Sequence, residues 1–137
     1  MAILSNAVDD FVTMLSQNDG FGNIKVIKAY PYVIKPTKLS KIVVAVSLGD
    51  VNADNISIGD NCVFGTYRID TCIYAPFDMG ADDLPLVAEK IFASCVNYNP
   101  VAFTTTQVDT DAKTLCYTLK CSITFSDLIN LGGGDNE

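Results

Sequence analysis

The stretch Thr114-Leu115-Cys116-Tyr117-Thr118-Leu119-Lys120-Cys121-Ser122-Ile123-Thr124-Phe125 puts an apolar residue at every odd position from Leu115 to Phe125. Between them, on the other parity, stand Cys116, Thr118, Lys120, Ser122 and Thr124. An uninterrupted period of two marks a strand with one face on a core and the other toward solvent. Cys116 falls on the solvent parity and is read as the exposed thiol. Residues 102–108 precede this strand as its hairpin partner, joined through Asp109-Thr110-Asp111-Ala112-Lys113. Upstream, Val63, Tyr67, Ile69 and Ile73 share one parity, and Phe64, Thr66, Arg68 and Asp70 share the other, which predicts a strand carrying charge on its second face. Ile42, Val44, Val46 and Leu48 interleave with Val43, Ala45 and Ser47, a strand apolar on both faces and therefore central. The first β segment runs from Asn23 through Tyr30-Pro31-Tyr32 to Lys35, and Pro31, which donates no ladder bond, makes it an edge, bulged or broken strand.

Two segments change period. Leu4, Ala7, Val8, Phe11, Val12 and Leu15 recur at three- and four-residue steps, the stripe of an amphipathic helix with Ser5 or Asn6 as a candidate cap. Leu84, Val87, Ala88, Ile91 and Cys95 do the same after Asp82-Asp83, and Pro85 suits a first turn. The expected order is α-β-β-β-α-β-β: an α+β single-domain sandwich of residues 1–128, with an antiparallel or mixed sheet of about five strands and two helices on one face. Residues 129–137 are expected to form a flexible, acidic, glycine-rich tail.

The chain has 137 residues, a length suited to one domain. Its 49% hydrophobic and 18% charged content excludes a disordered chain. The absence of histidine removes Ser/His and Cys/His dyads and the commonest zinc ligand. A net charge of −7 disfavours nucleic acid and anionic membranes, both of which require a basic footprint. No apolar run is long enough to span a bilayer, and residues 1–16 lack a signal-peptide pattern, so synthesis in a cytoplasm is expected. Five cysteines, Cys62, Cys72, Cys95, Cys116 and Cys121, are an odd number without Cys-x-x-Cys spacing, and free, mostly buried thiols are expected.

Asp50-Val51-Asn52-Ala53-Asp54-Asn55 opens like a calcium loop, but Asn61 stands where a bidentate glutamate should close it. Residues 49–61 are therefore read as a polar loop, in which Val51, Ile56 and Ile58 are candidate partner contacts. Asp9-Asp10 and Asp82-Asp83 are adjacent pairs that cannot face each other across a cleft, as paired acid/base carboxylates must. The sequence assigns no catalytic, cofactor-binding or metal-binding residue. A divalent metal at Asp50, Asn52 and Asp54 is the one enzymatic alternative. Tyr30 and Tyr32 at an edge strand, and Arg68 with Asp70 two residues apart on one face, are candidate subunit or partner contacts.

The entry Tyr30-Pro31-Tyr32-Val33-Ile34-Lys35-Pro36-Thr37 into Lys41-Ile42-Val43-Val44-Ala45-Val46, the polar segment after it, and Gly65-Thr66-Tyr67-Arg68-Ile69-Asp70 ahead of Ala88-Glu89-Lys90-Ile91 resemble the tail terminator and tail-completion proteins of long-tailed bacteriophages and prophages. The resemblance spans roughly residues 4–126. It implies a non-enzymatic virion protein, made in the bacterial host cytoplasm and located in the tail. Its subunits would form a homo-oligomeric ring, commonly a hexamer, that caps the tail tube protein, ends polymerisation and joins the head connector protein, with no cofactor. Another minor tail or head-tail adaptor protein of the same fold, or a small bacterial binding module, is the alternative.

Overall fold

The computed structural model describes residues 3–28, 39–57 and 62–130. In chain order the elements are α1 (Leu4–Ser16), β1 (Lys25–Lys28), β2 (Val43–Ser57), β3 (Cys62–Pro76), α2 (Asp83–Cys95), β4 (Pro100–Thr105), β5 (Asp109–Asp111) and β6 (Cys116–Asn130). The strands form one six-stranded mixed sheet in the order β1-β2-β3-β6-β4, with β5 also pairing with β6. Only β1 and β2 run parallel.

The register explains which side chains make the core. Val44, Val46 and Leu48 pair with Ile73, Thr71 and Ile69, and these three pair onward with Leu119, Cys121 and Ile123. Residues paired across a ladder point to the same face, so these positions build one apolar surface. Phe11 and Leu15 of α1 and Leu84, Val87, Ala88, Ile91 and Cys95 of α2 join that surface in a single buried cluster. Both helices thus cover one face, and the fold is α+β. Thr71, the polar member of this face, is 2% exposed and donates its hydroxyl hydrogen to the Cys121 carbonyl at 3.3 Å, which removes the cost of burying it unpaired. The opposite face carries Arg68, Asp70, Cys72, Lys120 and Ser122 and, among the described residues, has no helix over it, while Val43, Thr118 and Cys116 toward one end of the same face are buried.

The strand content differs from the expected pattern in three places. Residues 49–57, expected as loop, continue β2. Each helix has 13 residues and is roughly 20 Å long, whereas β2, β3 and β6 have 15 residues each and span roughly 50 Å, so the strands outrun the helices. From Ser47 to Ala53 no side chain of β2 is buried, and Leu48 and Val51 are 38% and 37% exposed on the helix-facing parity. Polar residues are tolerated there, and pairing of Val51, Asn52 and Ala53 with β3 holds them in the strand. The hairpin partner expected over residues 102–108 ends at Thr105, and residues 109–111 form β5, which raises the strand count to six.

The third difference concerns Cys116. Leu115 has φ 54°, a left-handed backbone, and its carbonyl accepts the Phe77 amide at 2.9 Å. The alternation therefore starts one residue later than expected, and Leu115 is 40% exposed. Cys116, expected to be exposed, lies in register between Pro76 and Asp111 and is fully buried. β6 also runs past residue 128 to Asn130, and Ile129 is fully buried, so the domain includes the first two residues assigned to the tail. Ile3 rather than Ser5 or Asn6 occupies the cap position of α1.

Ile123 stands at the centre of this arrangement, in register with Ile69 of β3 and Phe103 of β4 and fully buried. We expect Ile123→Ala to destabilise the fold by about 2–5 kcal/mol, read from the urea midpoint. A loss under about 1 kcal/mol would show that this face is not the core.

Candidate functional site

The face of the sheet away from the helices carries an ion cluster. Arg68 projects from the middle of β3, and its Nε donates to Asp70 Oδ1 at 2.7 Å while Nη2 donates to Asp70 Oδ2 at 3.0 Å. The two bonds form a bidentate fork, the geometry that fits a planar guanidinium to a carboxylate. Nη1 donates to Asp50 Oδ2 at 3.1 Å, and Ser122 Oγ of β6 donates to Asp70 Oδ1 at 2.8 Å. The Asp70 hydrogen bonds and the adjacent carboxylates raise the Arg68 pKa further above its ordinary range. A guanidinium engaged by two carboxylates has no chemistry to offer as an acid, and the three side chains hold one another in place on the sheet.

A bulge builds the cluster. Leu48 pairs with Ile69 and Val51 with Tyr67, so Gly49 and Asp50 together face Arg68. The extra residue turns Asp50 toward Arg68. Gly49 makes room, since a Cβ there would lie 2.5 Å from Arg68 Nε and 2.7 Å from Asp70 Oδ2. Gly65 serves a different purpose: a Cβ on it would collide with the Asn52 carbonyl oxygen and come within 2.8 Å of Ala53 Cα, so its absence lets β2 and β3 approach.

Among the residues singled out in the sequence, Arg68 and Asp70 pair with each other. Val51 lies on β2 beside Tyr67, on the face opposite the ion cluster. Ile56 belongs to β2. Tyr30, Tyr32 and Ile58 lie outside the described residues. Asp50 and Ser122 were missed as cluster members. Asp50 had been assigned to a loop, whereas Ser122 could have been found from its place on the polar parity of β6. Asp50 and Asn52 sit in a paired strand instead of a calcium loop, and Asp50 is engaged by Arg68. Among the described residues no three His, Cys, Asp or Glu side chains converge as a metal site, and no helix is long and apolar enough to cross a membrane.

On the helix-covered side a groove of about 370 Å³ runs between α1 and the sheet, lined by Phe11, Met14, Tyr67 and Phe125 with Asp10 and Asp127 among its polar residues. Tyr67 stacks on Phe125 with ring centroids 5.5 Å apart. Burial first, and then Asp127 and Asp10, push the Tyr67 hydroxyl pKa up.

None of the five cysteines forms a disulfide; Cys62, Cys95, Cys116 and Cys121 are buried and Cys72 is half-buried. Burial pushes the Cys95 thiol up to about 12 and the Cys121 thiol up to about 11. Burial raises the Cys72 and Cys116 pKa values as well. These thiols are therefore protonated and poorly nucleophilic at neutral pH.

No protein-family model and no curated protein matches the chain.

Two outcomes follow from this geometry. Gly49→Ala displaces only side-chain ends and should cost under about 1 kcal/mol, the worth of an exposed ion pair. Gly65→Ala forces backbone apart and should cost about 1–3 kcal/mol. Equal losses in urea unfolding would contradict the distinction. For the thiols, a folded pKa above the unfolded value means that stability is fully present below the unfolded pKa, near 9, and is lost as pH rises toward about 12. Stability should fall from pH 8.5 to 11, and Cys95→Ala should flatten that fall. An unchanged slope in the variant would show that Cys95 ionises as readily folded as unfolded.

Proposed function

We propose that this chain is a structural subunit of a long-tailed bacteriophage or prophage virion. In this reading its copies form a ring, commonly of six, that caps the tail tube, ends tube polymerisation and presents a second surface to the head connector. The chain acts by binding rather than by catalysis.

The observation that carries the reading is the sheet, which among the described residues ends in the exposed strand β4 and presents the Arg68 cluster on the face away from the helices. Pro100–Thr105 is exposed along almost its whole length, and Val101 is 59% exposed. A soluble monomer normally shields such an edge. A ring subunit uses two edges for its neighbours and has faces left for the tube and the connector. The resemblance of residues 4–126 to tail terminators supports the same reading. The Arg68–Asp70–Asp50 cluster offers a rigid charge pattern for a partner. The net charge of −7 suits a ring through which DNA slides without adhering.

The test is assembly. The purified chain is added to a tail tube protein of the same virion during tube polymerisation, and tube lengths are measured by electron microscopy. We expect ring-shaped caps at tube ends and arrested elongation. Unchanged tube lengths with bare ends would overturn the reading.

A further inference from the structure

Among the described residues the sheet ends at β1 on one side and at β4 with β5 on the other. Residues 100–108, Pro-Val-Ala-Phe-Thr-Thr-Thr-Gln-Val, contain no charge, although charge is the commonest protection for an edge strand. The Thr106 amide donates to the Lys120 carbonyl at 2.9 Å. By the two-residue alternation of an antiparallel ladder, the amides of Phe103 and Thr105 face away from β6. At the far edge the Lys25 amide donates to the Ile42 carbonyl at 3.1 Å, so the Val26 and Lys28 amides face outward. Among the described residues β2 is the only strand paired with β1.

Register relates the two edges. Lys25 pairs with Val43, Val43 with Tyr74, Tyr74 with Thr118, and Thr118 with Asp109. Lys25 and Asp109 therefore stand at the same height and on the same face at opposite edges, and both are exposed. Lys28 is likewise level with Thr105 through Val46, Thr71 and Cys121. β1 runs with β2, and β4 runs against β6 and hence with β3, so β1 and β4 are antiparallel. Two copies set side by side in one orientation meet edge to edge with strand direction, height and charge all matched.

We propose that the β4–β5 edge of one copy takes the β1 edge of a second copy of this chain, continuing the sheet antiparallel, with Lys25 of one copy against Asp109 of the other. This contact is heterologous, and repeating it closes a ring when the rotation closes. The inference deepens the ring reading and rests on it for closure, while the edge pairing has its own test.

Sedimentation velocity over a range of concentrations compares the wild type with Thr105→Pro, Lys25→Asp, Asp109→Lys and the double charge exchange. Thr105→Pro removes an outward amide and leaves the inner ladder intact. We expect concentration-dependent assembly of the wild type and at least about tenfold weaker assembly of Thr105→Pro, since the variant loses a ladder bond and disturbs its neighbours. Each charge reversal should weaken assembly about three- to tenfold, and the double exchange should restore it to within about twofold. Thermal melts identify any variant that fails to fold, and the charge exchange, confined to exposed side chains, keeps the test decisive if Thr105→Pro does. A wild type monomeric at every concentration, or single reversals without effect, would overturn the proposal. Sensitivity to Thr105→Pro with indifference to Lys25→Asp would point to β4 pairing with β4 across a two-fold axis, which also overturns it. Rings that persist in Thr105→Pro would overturn the edge pairing and leave the ring reading standing. Edge pairing without tube capping would do the reverse.

Discussion

Every feature of this fold depends on β3 being paired along its whole length. Each of its 15 residues has a partner on β6, from Cys62 opposite Asn130 to Pro76 opposite Cys116, and β2 lines the other side. Because side chains alternate with a period of two, a slip of one residue would send Ile69 and Ile73 to solvent and bring Arg68 and Asp70 under the helices. Neither outcome is tolerable, since burying an ion pair costs more than its attraction returns unless every polar atom is satisfied. The apolar stripe of β3 and the charge on its other parity thus fix the same register independently.

That double constraint also explains what the sequence revealed and what it hid. The stripes of α1, α2 and β6 were legible because one face of each meets a common core: Leu15, Leu84, Ile91 and Ile123 are all fully buried. Residues 51–53 were not legible, because they pair with β3 while all three remain exposed. Burial leaves no periodic mark on these three. Leu115 misled for a related reason, as its odd position fits the stripe while its left-handed backbone takes it out of the strand. The candidate site was half legible. Arg68 and Asp70 could be picked out from their spacing, but Asp50 joins them only through a bulge, and Ser122 only through the pairing of β3 with β6.

The helices cover one sheet face, and among the described residues the other carries the ion cluster at its middle and the buried Val43, Cys116 and Thr118 toward one end. In the cluster the charges hold one another, with Asp70 accepting from Arg68 and from Ser122. At the rims the chain is less self-sufficient. β4 is exposed and uncharged, and its Phe103 is anchored by stacking on Phe92 at 4.4 Å. An exposed strand with no charge to deter a neighbour is suited to pairing again. The functional reading and the edge pairing both grow from this asymmetry between a satisfied centre and an unsatisfied rim.

The measurement that bears most directly on this account is native-state hydrogen exchange, resolved by residue and taken on the monomer at low concentration. Amides of β3 and of its partner stretches on β6 should exchange only through global unfolding, whereas the outward amides of Phe103 and Thr105 should exchange orders of magnitude faster. Amides of β3 exchanging as fast as those of Phe103 and Thr105 would show that β3 is not the fully paired centre of the sheet, and the register on which the fold, the ion cluster and the edges all rest would be wrong.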